Sequence, residues 1–124
     1  MRPILTPDAP TPVGPYSQAV ISGNIVIVSG QIPLYSHTGN MPDGIEEQTH
    51  LVLCNLKAIL RTAGVKDGNI LQTTLYISNM DDFDIINGIY KEEFAEPYPA
   101  RTCIGVNALP KGSKIMVDAI GSIE

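Results

Sequence analysis

The sequence has no tryptophan, two cysteines, two histidines and two phenylalanines in 124 residues. Cys54 and Cys103 are too few for a disulfide scaffold, and neither stands near a histidine pair at zinc-ligand spacing. Positive charge is scarce as well: eight Lys and Arg face 13 Asp and Glu, a net charge of −5. Phosphate neutralisation supplies most nucleic-acid affinity, so an acidic chain without a basic block is not expected to bind RNA or DNA. No apolar run exceeds four residues, the longest being Ile25 to Val28 and Leu51 to Cys54. This excludes a transmembrane helix and the apolar region of a signal peptide. The start lacks the Arg- and Ser-rich pattern of a transit peptide, so a cytoplasmic location is expected, with a mitochondrial one left open. The GxGxxG, Walker A, GxSxG and HExxH patterns are missing too, and no cofactor or metal is expected.

What is present reads as one folded domain over residues 1–124. Hydrophobic residues make up 44% and charged residues 17%, which excludes a disordered chain or a coiled coil. A domain this small has little room for a deep pocket, so an active site is expected to be shared with a second copy. Five prolines fall at 3, 7, 10, 12 and 15. That stretch cannot be a helix interior or a central strand, and reads as an extended surface arm. Gln18 to Ser22 and Ile25 to Ile32 read as a hairpin around Gly23-Asn24. Ile25 to Val28 is apolar at every position, so this strand is expected to be covered on both faces.

Asp43, three residues before Glu46, has capping-box spacing and predicts the start of a long helix. Val52, Leu56, Ile59, Leu60 and Ala63 recur at helical spacing, and Gly64 supplies the C′ residue. Gln48, Asn55 and Arg61 are expected off the core face. Ile70 to Ser78 reads as a strand, and Asn79 or Asp81 as the cap of a second helix over 82–95. That helix would present Phe83, Ile86, Tyr90 and Phe94 on one face until Pro97 and Pro99 end it. Arg101 to Asn107 and Lys114 to Ile123 read as strands, with Leu109 to Gly112 as a hairpin turn between them. The order β-β-α-β-α-β-β predicts a two-layer α+β domain with both helices on one face of a mixed sheet. Nothing in the chain covers the other face, which calls for an oligomer.

Arg101 stands at the start of an apolar strand. Its guanidinium either clamps a substrate carboxylate bidentately or forms a salt bridge with a neighbouring acid. Cys103 shares its strand face. It is a nucleophile only if something activates the thiol, and otherwise a small core residue. Gly30, between Ser29 and Gln31, marks either close approach of a ligand or a β-bulge. Tyr16 is either a site wall or an interface aromatic. Neither His37 nor His50 has metal-ligand spacing or an acid partner legible in the sequence, as a ribonuclease would need.

Fragments in order along nearly the whole chain resemble the RidA (YjgF) family, also known as endoribonuclease L-PSP. They include Gly14-Pro15-Tyr16-Ser17-Gln18-Ala19, Ser29-Gly30-Gln31-Ile32-Pro33, Asn55-Leu56-Lys57-Ala58, Pro99-Ala100-Arg101 and Leu109-Pro110-Lys111-Gly112. The resemblance implies a chorismate mutase-like fold and a homotrimer around a central β-barrel, with sites in the clefts between copies. It implies cofactor-independent hydrolysis of 2-imino acids such as 2-iminobutanoate and 2-iminopropanoate to 2-oxo acids and ammonia. Arg101 would then hold the substrate carboxylate, supported by the Gly30 N–H. Tyr16, Ser29 and Asn87 would line the cleft, and the Cys103 carbonyl would help place the attacking water. The family's Glu on the last strand, which orients that water, is replaced by Met116. The next acid, Asp118, lies about 6–7 Å further along the strand. Two other functions remain on the same residues. One is a small-carboxylate-binding trimer without turnover; the other is an endoribonuclease or translation inhibitor, against which the acidic charge speaks.

Overall fold

A computed structural model describes residues 1–124. Its regular elements are β1 (Arg2–Ile4), β2 (Ala19–Ser22), β3 (Ile25–Gln31), α1 (Ile45–Thr62), β4 (Ile70–Ile77), α2 (Phe83–Glu93), β5 (Ala100–Gly105) and β6 (Ile115–Ser122). The six strands form one sheet in the order β1-β2-β3-β6-β4-β5. All neighbours are antiparallel except β4 and β5, which α2 joins as a parallel crossover.

Both helices cover one sheet face. Strand burial alternates accordingly: Val26, Val28, Leu75, Ile77, Ile115 and Val117 point into the core between sheet and helices. The opposite face carries apolar side chains in the open, with Ile27 50%, Leu71 48% and Ile104 41% exposed. Ile25 to Val28 is thus covered on one side only within the chain. The poor alternation at the start of β4 has a local cause, a register shift against β6 between Ile70 and Gln72.

Four sequence expectations need correction. The proline-rich arm begins with a strand, since Arg2–Ile4 pairs with β2 at the sheet edge, the one place where Pro3 lacks no ladder partner. The Asp43 capping box does not form: Gly44 is the N-cap, so Asp43 sits one residue too early to reach the free N–H groups of the first turn. Gln48 and Asn55 are buried. Asn55 Nδ2 donates to the Leu34 carbonyl (2.9 Å), while Gln48 Nε2 donates to the Pro42 carbonyl (2.8 Å) and Gln48 Oε1 accepts from the Lys114 N–H (2.9 Å). These amides satisfy loop backbone that has no ladder of its own. Finally, β5 and β6 form no hairpin, because β4 lies between them. The alternately buried β6 needs a strand on each side, whereas β5 has no fully buried residue and suits an edge.

The end of α1 is as expected. The Gly64 N–H donates to Arg61 (3.0 Å) and the Val65 N–H to Leu60 (2.9 Å), with Gly64 at φ +96°. The arm is held by Gln18, whose buried amide accepts from the Thr6 N–H (2.7 Å) and donates to the Thr6 (3.1 Å) and Pro10 (3.0 Å) carbonyls.

Candidate functional site

Arg101 lies on the edge strand β5 and points to the helix side. Its Nη1 donates to Asn87 Oδ1 on α2 at 2.8 Å. The guanidinium carbon stands 4.8 Å from the Tyr90 ring centre and 5.7 Å from that of Phe83. No carboxylate pairs with it; the three ion pairs are His50–Glu93, Lys57–Glu93 and Arg61–Asp67. The salt-bridge alternative for Arg101 is therefore not realised. A neutral amide and two ring faces orient the fork and leave most of its five donors free for an anion.

The guanidinium borders an open groove of about 530 Å³, lined also by Asn87, Lys91, Glu96 and Tyr98. Tyr90 forms its floor and is fixed by a 2.7 Å hydrogen bond between its hydroxyl and that of Thr73. Burial raises the Tyr90 phenol above its ordinary range, so the ring stays neutral under Arg101. In the sequence Tyr90 is legible only as a core residue. Lys91 carries no signal there beyond its i+4 spacing from Asn87 on α2.

Cys103 follows on the same face and packs against the core. Burial pushes its thiol up, only partly offset by Arg101. That is the reverse of what activates a thiolate, and it favours the core reading of Cys103.

The remaining candidates gather elsewhere. Tyr16 and Gly30 line a second cavity of about 220 Å³ with Gln18, Gln31 and Lys111. Gly30 lies in a register shift of β3 against β6, so it is a β-bulge and a close approach at once. A Cβ at Gly30 would stand 3.0 Å from Met116 Sδ, which occupies the space beside it. Ser29 donates its hydroxyl to the Ser17 carbonyl (2.6 Å), tying the arm to β3. The Asp118 carboxylate accepts from the Tyr76 hydroxyl (2.9 Å) on the open sheet face. This hydrogen bond, with burial, raises the Tyr76 phenol and commits Asp118 to a structural partner.

Two separate groups of candidate residues result. Between β5 and β3 stand β4 and β6, three strand spacings or about 14 Å. One copy cannot close Arg101 and Gly30 around the same small acid. His50 does have an acid partner that the sequence does not reveal: its Nδ1 is 3.2 Å from Glu93 Oε1. The pair borders neither cavity, and the same carboxylate also holds Lys57.

A sequence profile described as endoribonuclease L-PSP matches residues 6–123. The chain belongs to this family. An Escherichia coli member, 2-iminobutanoate/2-iminopropanoate deaminase, is 42% identical over 122 residues, 96% of this chain and 95% of that one. The crystal structure of RidA from an Antarctic Psychrobacter superposes with a TM-score of 0.96 at 36% identity, covering 99% of this chain and 100% of that one. Escherichia coli TdcF with bound serine superposes with a TM-score of 0.95 at 38% identity, covering all of both chains. The α+β fold of the endoribonuclease L-PSP family is thus the fold of this chain.

Proposed function

We propose that this protein hydrolyses small 2-imino acids to 2-oxo acids and ammonia, at a site closed between copies of the chain in a homotrimer. The observation that carries the reading is the Arg101 guanidinium, oriented by Asn87 and the Tyr90 ring and paired with no carboxylate. Arg101 and Asn87 of one copy hold the substrate carboxylate. Tyr16, Ser29 and the Gly30 N–H of the next copy form the facing wall. The open apolar sheet face supplies the surface on which copies associate. The Escherichia coli relative named for its action on 2-iminobutanoate and 2-iminopropanoate and the TdcF structure with serine, itself a small carboxylate with a nitrogen at C2, support this substrate class.

Water, placed by the Cys103 carbonyl, adds to C2 of the C=N bond while the nitrogen takes a proton. The resulting carbinolamine loses ammonia as its hydroxyl gives up a proton, leaving the 2-oxo acid. Carboxylate binding beside an electrophilic imine carbon supplies proximity and orientation. It supplies no base. The Met116 thioether accepts no proton, and Asp118 is bonded to Tyr76. A general base is worth 10²–10⁴-fold, roughly, so turnover is slow by comparison with a site that holds one.

The same residues support a second reading, carboxylate binding without turnover, and Met116 beside Gly30 is what favours it. A coupled assay separates the two. Threonine dehydratase generates 2-iminobutanoate while semicarbazide competes for it, with wild type or Arg101→Ala present. Diversion of imine to 2-oxobutanoate by wild type alone supports the deaminase. Binding of 2-oxobutanoate without diversion supports the binding module. Equal binding of 2-oxobutanoate by wild type and Arg101→Ala refutes both.

A further inference from the structure

Lys57 is a lysine at a core position. It lies on α1 between Leu53 and Leu60 of the same helix face, both fully buried, and is itself buried. Desolvation makes a buried ammonium expensive, and an apolar side chain of equal length would avoid that cost. Lys57 offsets it by reaching across to α2. Its Nζ donates to the Glu93 carbonyl and, at 3.3 Å, to the Glu93 carboxylate. Glu93 is the last residue of α2, where carbonyls lack partners within the helix. Lys57 thus closes that end and meets the negative pole of the helix dipole. It lines neither cavity, and the proposed chemistry does not use it.

Its surroundings nevertheless lead to the groove. Lys57 Nζ stands 4.8 Å from the centre of the Phe94 ring. Phe94 packs on Tyr90, with ring centres 4.3 Å apart and planes tilted by 32°. Tyr90 in turn carries Arg101, whose guanidinium carbon is 4.8 Å from its ring centre. Lys57, Phe94, Tyr90 and Arg101 form one unbroken series of contacts from α1 to β5. Both rings are buried, whereas the guanidinium at the end of the series is exposed. Arg101 is a long side chain on an edge strand, and the two groups that orient it most closely, Asn87 and the Tyr90 ring, both stand on α2. Lys57 ties the C-terminal end of that helix to α1. Its own charge is answered by Glu93, so its effect on Arg101 is one of placement.

We propose that Lys57 is a positioning residue for the Arg101 clamp: by pinning the end of α2 and the Phe94 ring, it fixes the Tyr90 surface on which the guanidinium is oriented. The inference rests on the carboxylate clamp proposed above and adds to it a residue that touches no substrate. The carboxylate is held alike in the ground state and the transition state. A loosened clamp therefore raises KM and leaves kcat nearly unchanged.

Titration calorimetry of the full-length protein with 2-oxobutanoate, run well below the Tm of each variant, tests it. Lys57→Met keeps the side-chain length and removes both bonds to Glu93. Phe94→Leu leaves those bonds in place and removes the ring between Lys57 and Tyr90, so it carries the test even if Lys57→Met does not fold. Each should weaken binding by about three- to tenfold, the cost of leaving one long side chain to be ordered on binding. Phe94→Tyr restores a ring and should bind as wild type does. In an Arg101→Lys background, which keeps a charge but not the planar fork, Lys57→Met should change the affinity by less than about twofold. If binding depends on Arg101 and neither Lys57→Met nor Phe94→Leu weakens it, the positioning inference is wrong and the clamp stands. A loss of undiminished size in the Arg101→Lys background would also overturn the inference, since Lys57 would then act on the fold and not on the fork. If Arg101→Ala binds 2-oxobutanoate as tightly as wild type, or wild type does not bind it, the clamp and the inference fall together.

Discussion

Met116→Glu puts a carboxylate where the proposed mechanism lacks one, and the geometry sets what it should do. Met116 Sδ lies beside Gly30, and Glu is an unbranched side chain of similar reach, so its oxygens arrive in the same space. A base there should raise turnover of 2-iminobutanoate by about 10²–10⁴-fold. Its pH profile follows from Asp118, about 6–7 Å away on the same strand face. Two like charges at that distance repel by roughly 0.6 kcal/mol in water and 2.5 kcal/mol at an effective dielectric of 20, or about 0.5–2 pKa units. The new Glu should therefore titrate above the ordinary carboxylate value, in the weakly acidic range. The ionised form is the active one, so the added activity should be full at pH 7 and fade as pH falls through that range. The semicarbazide competition assay, run from pH 5 to 8, reads both quantities. Met116→Gln is the control, since it fills the same volume without accepting a proton. If Met116→Glu were no faster than wild type, or if Met116→Gln were equally fast, a missing base at this position would not be what limits turnover.

Three further outcomes test the scaffold. Gln18→Leu removes the amide that the arm's backbone uses; it should cost about 2–4 kcal/mol in denaturant unfolding and expose the Thr6–Pro10 stretch to proteolysis. Unaltered proteolysis would mean that β1 alone holds the arm. Gly121→Ala drives a methyl to 2.8 Å from Val65 Cγ1 and 3.1 Å from Leu60 Cδ2 in the core, and should cost about 1–3 kcal/mol; an unchanged Tm would show that α1 yields freely there. Arg61 holds the Asp67 carboxyl below its ordinary range through a 2.7 Å hydrogen bond. The stabilisation is present above the unfolded pKa near 4 and is lost as pH falls through the lower folded value. For so exposed a pair it should be on the order of 0.5 kcal/mol, read as the difference between wild type and Asp67→Asn at pH 7 and pH 2.

Local pattern makes most of the fold legible. The Gly23-Asn24 turn and the apolar stripe of α1 with Gly64 behind it are written within a few residues. Asn79, by contrast, whose Oδ1 accepts from the Asp81 N–H at 3.0 Å, caps a separate 3-10 turn over Met80–Asp82 and not α2. That helix runs from Phe83 to Glu93, with Asp82 as an N-cap that makes no side-chain bond. What escapes is non-local. Gln48 and Asn55 look like surface amides because their partners are loop backbone, and no periodicity encodes a loop's need for hydrogen bonds. The insertion of β4 between β5 and β6 depends on which strand has two buried neighbours, a property of the whole sheet. For the same reason Arg101 and Gly30 can both be named as candidates without it being visible that a single chain holds them three strand spacings apart. Lys111, at φ 57°, reads only as part of a turn, since a positive φ at a lysine has no signature in composition.

The three strand spacings between the two groups of candidate residues carry a genetic consequence. In the proposed ring each copy lends its Arg101 groove to one neighbour and its Gly30 cavity to the other, so a lesion in one half spares the other half of the same polypeptide. Two alleles, one damaged at Arg101 and one at Gly30, would each be inactive alone. Coexpressed, they would form mixed rings in which some clefts join an intact groove to an intact cavity. Function would then return by complementation between alleles, in a fraction set by random assortment of the two chains.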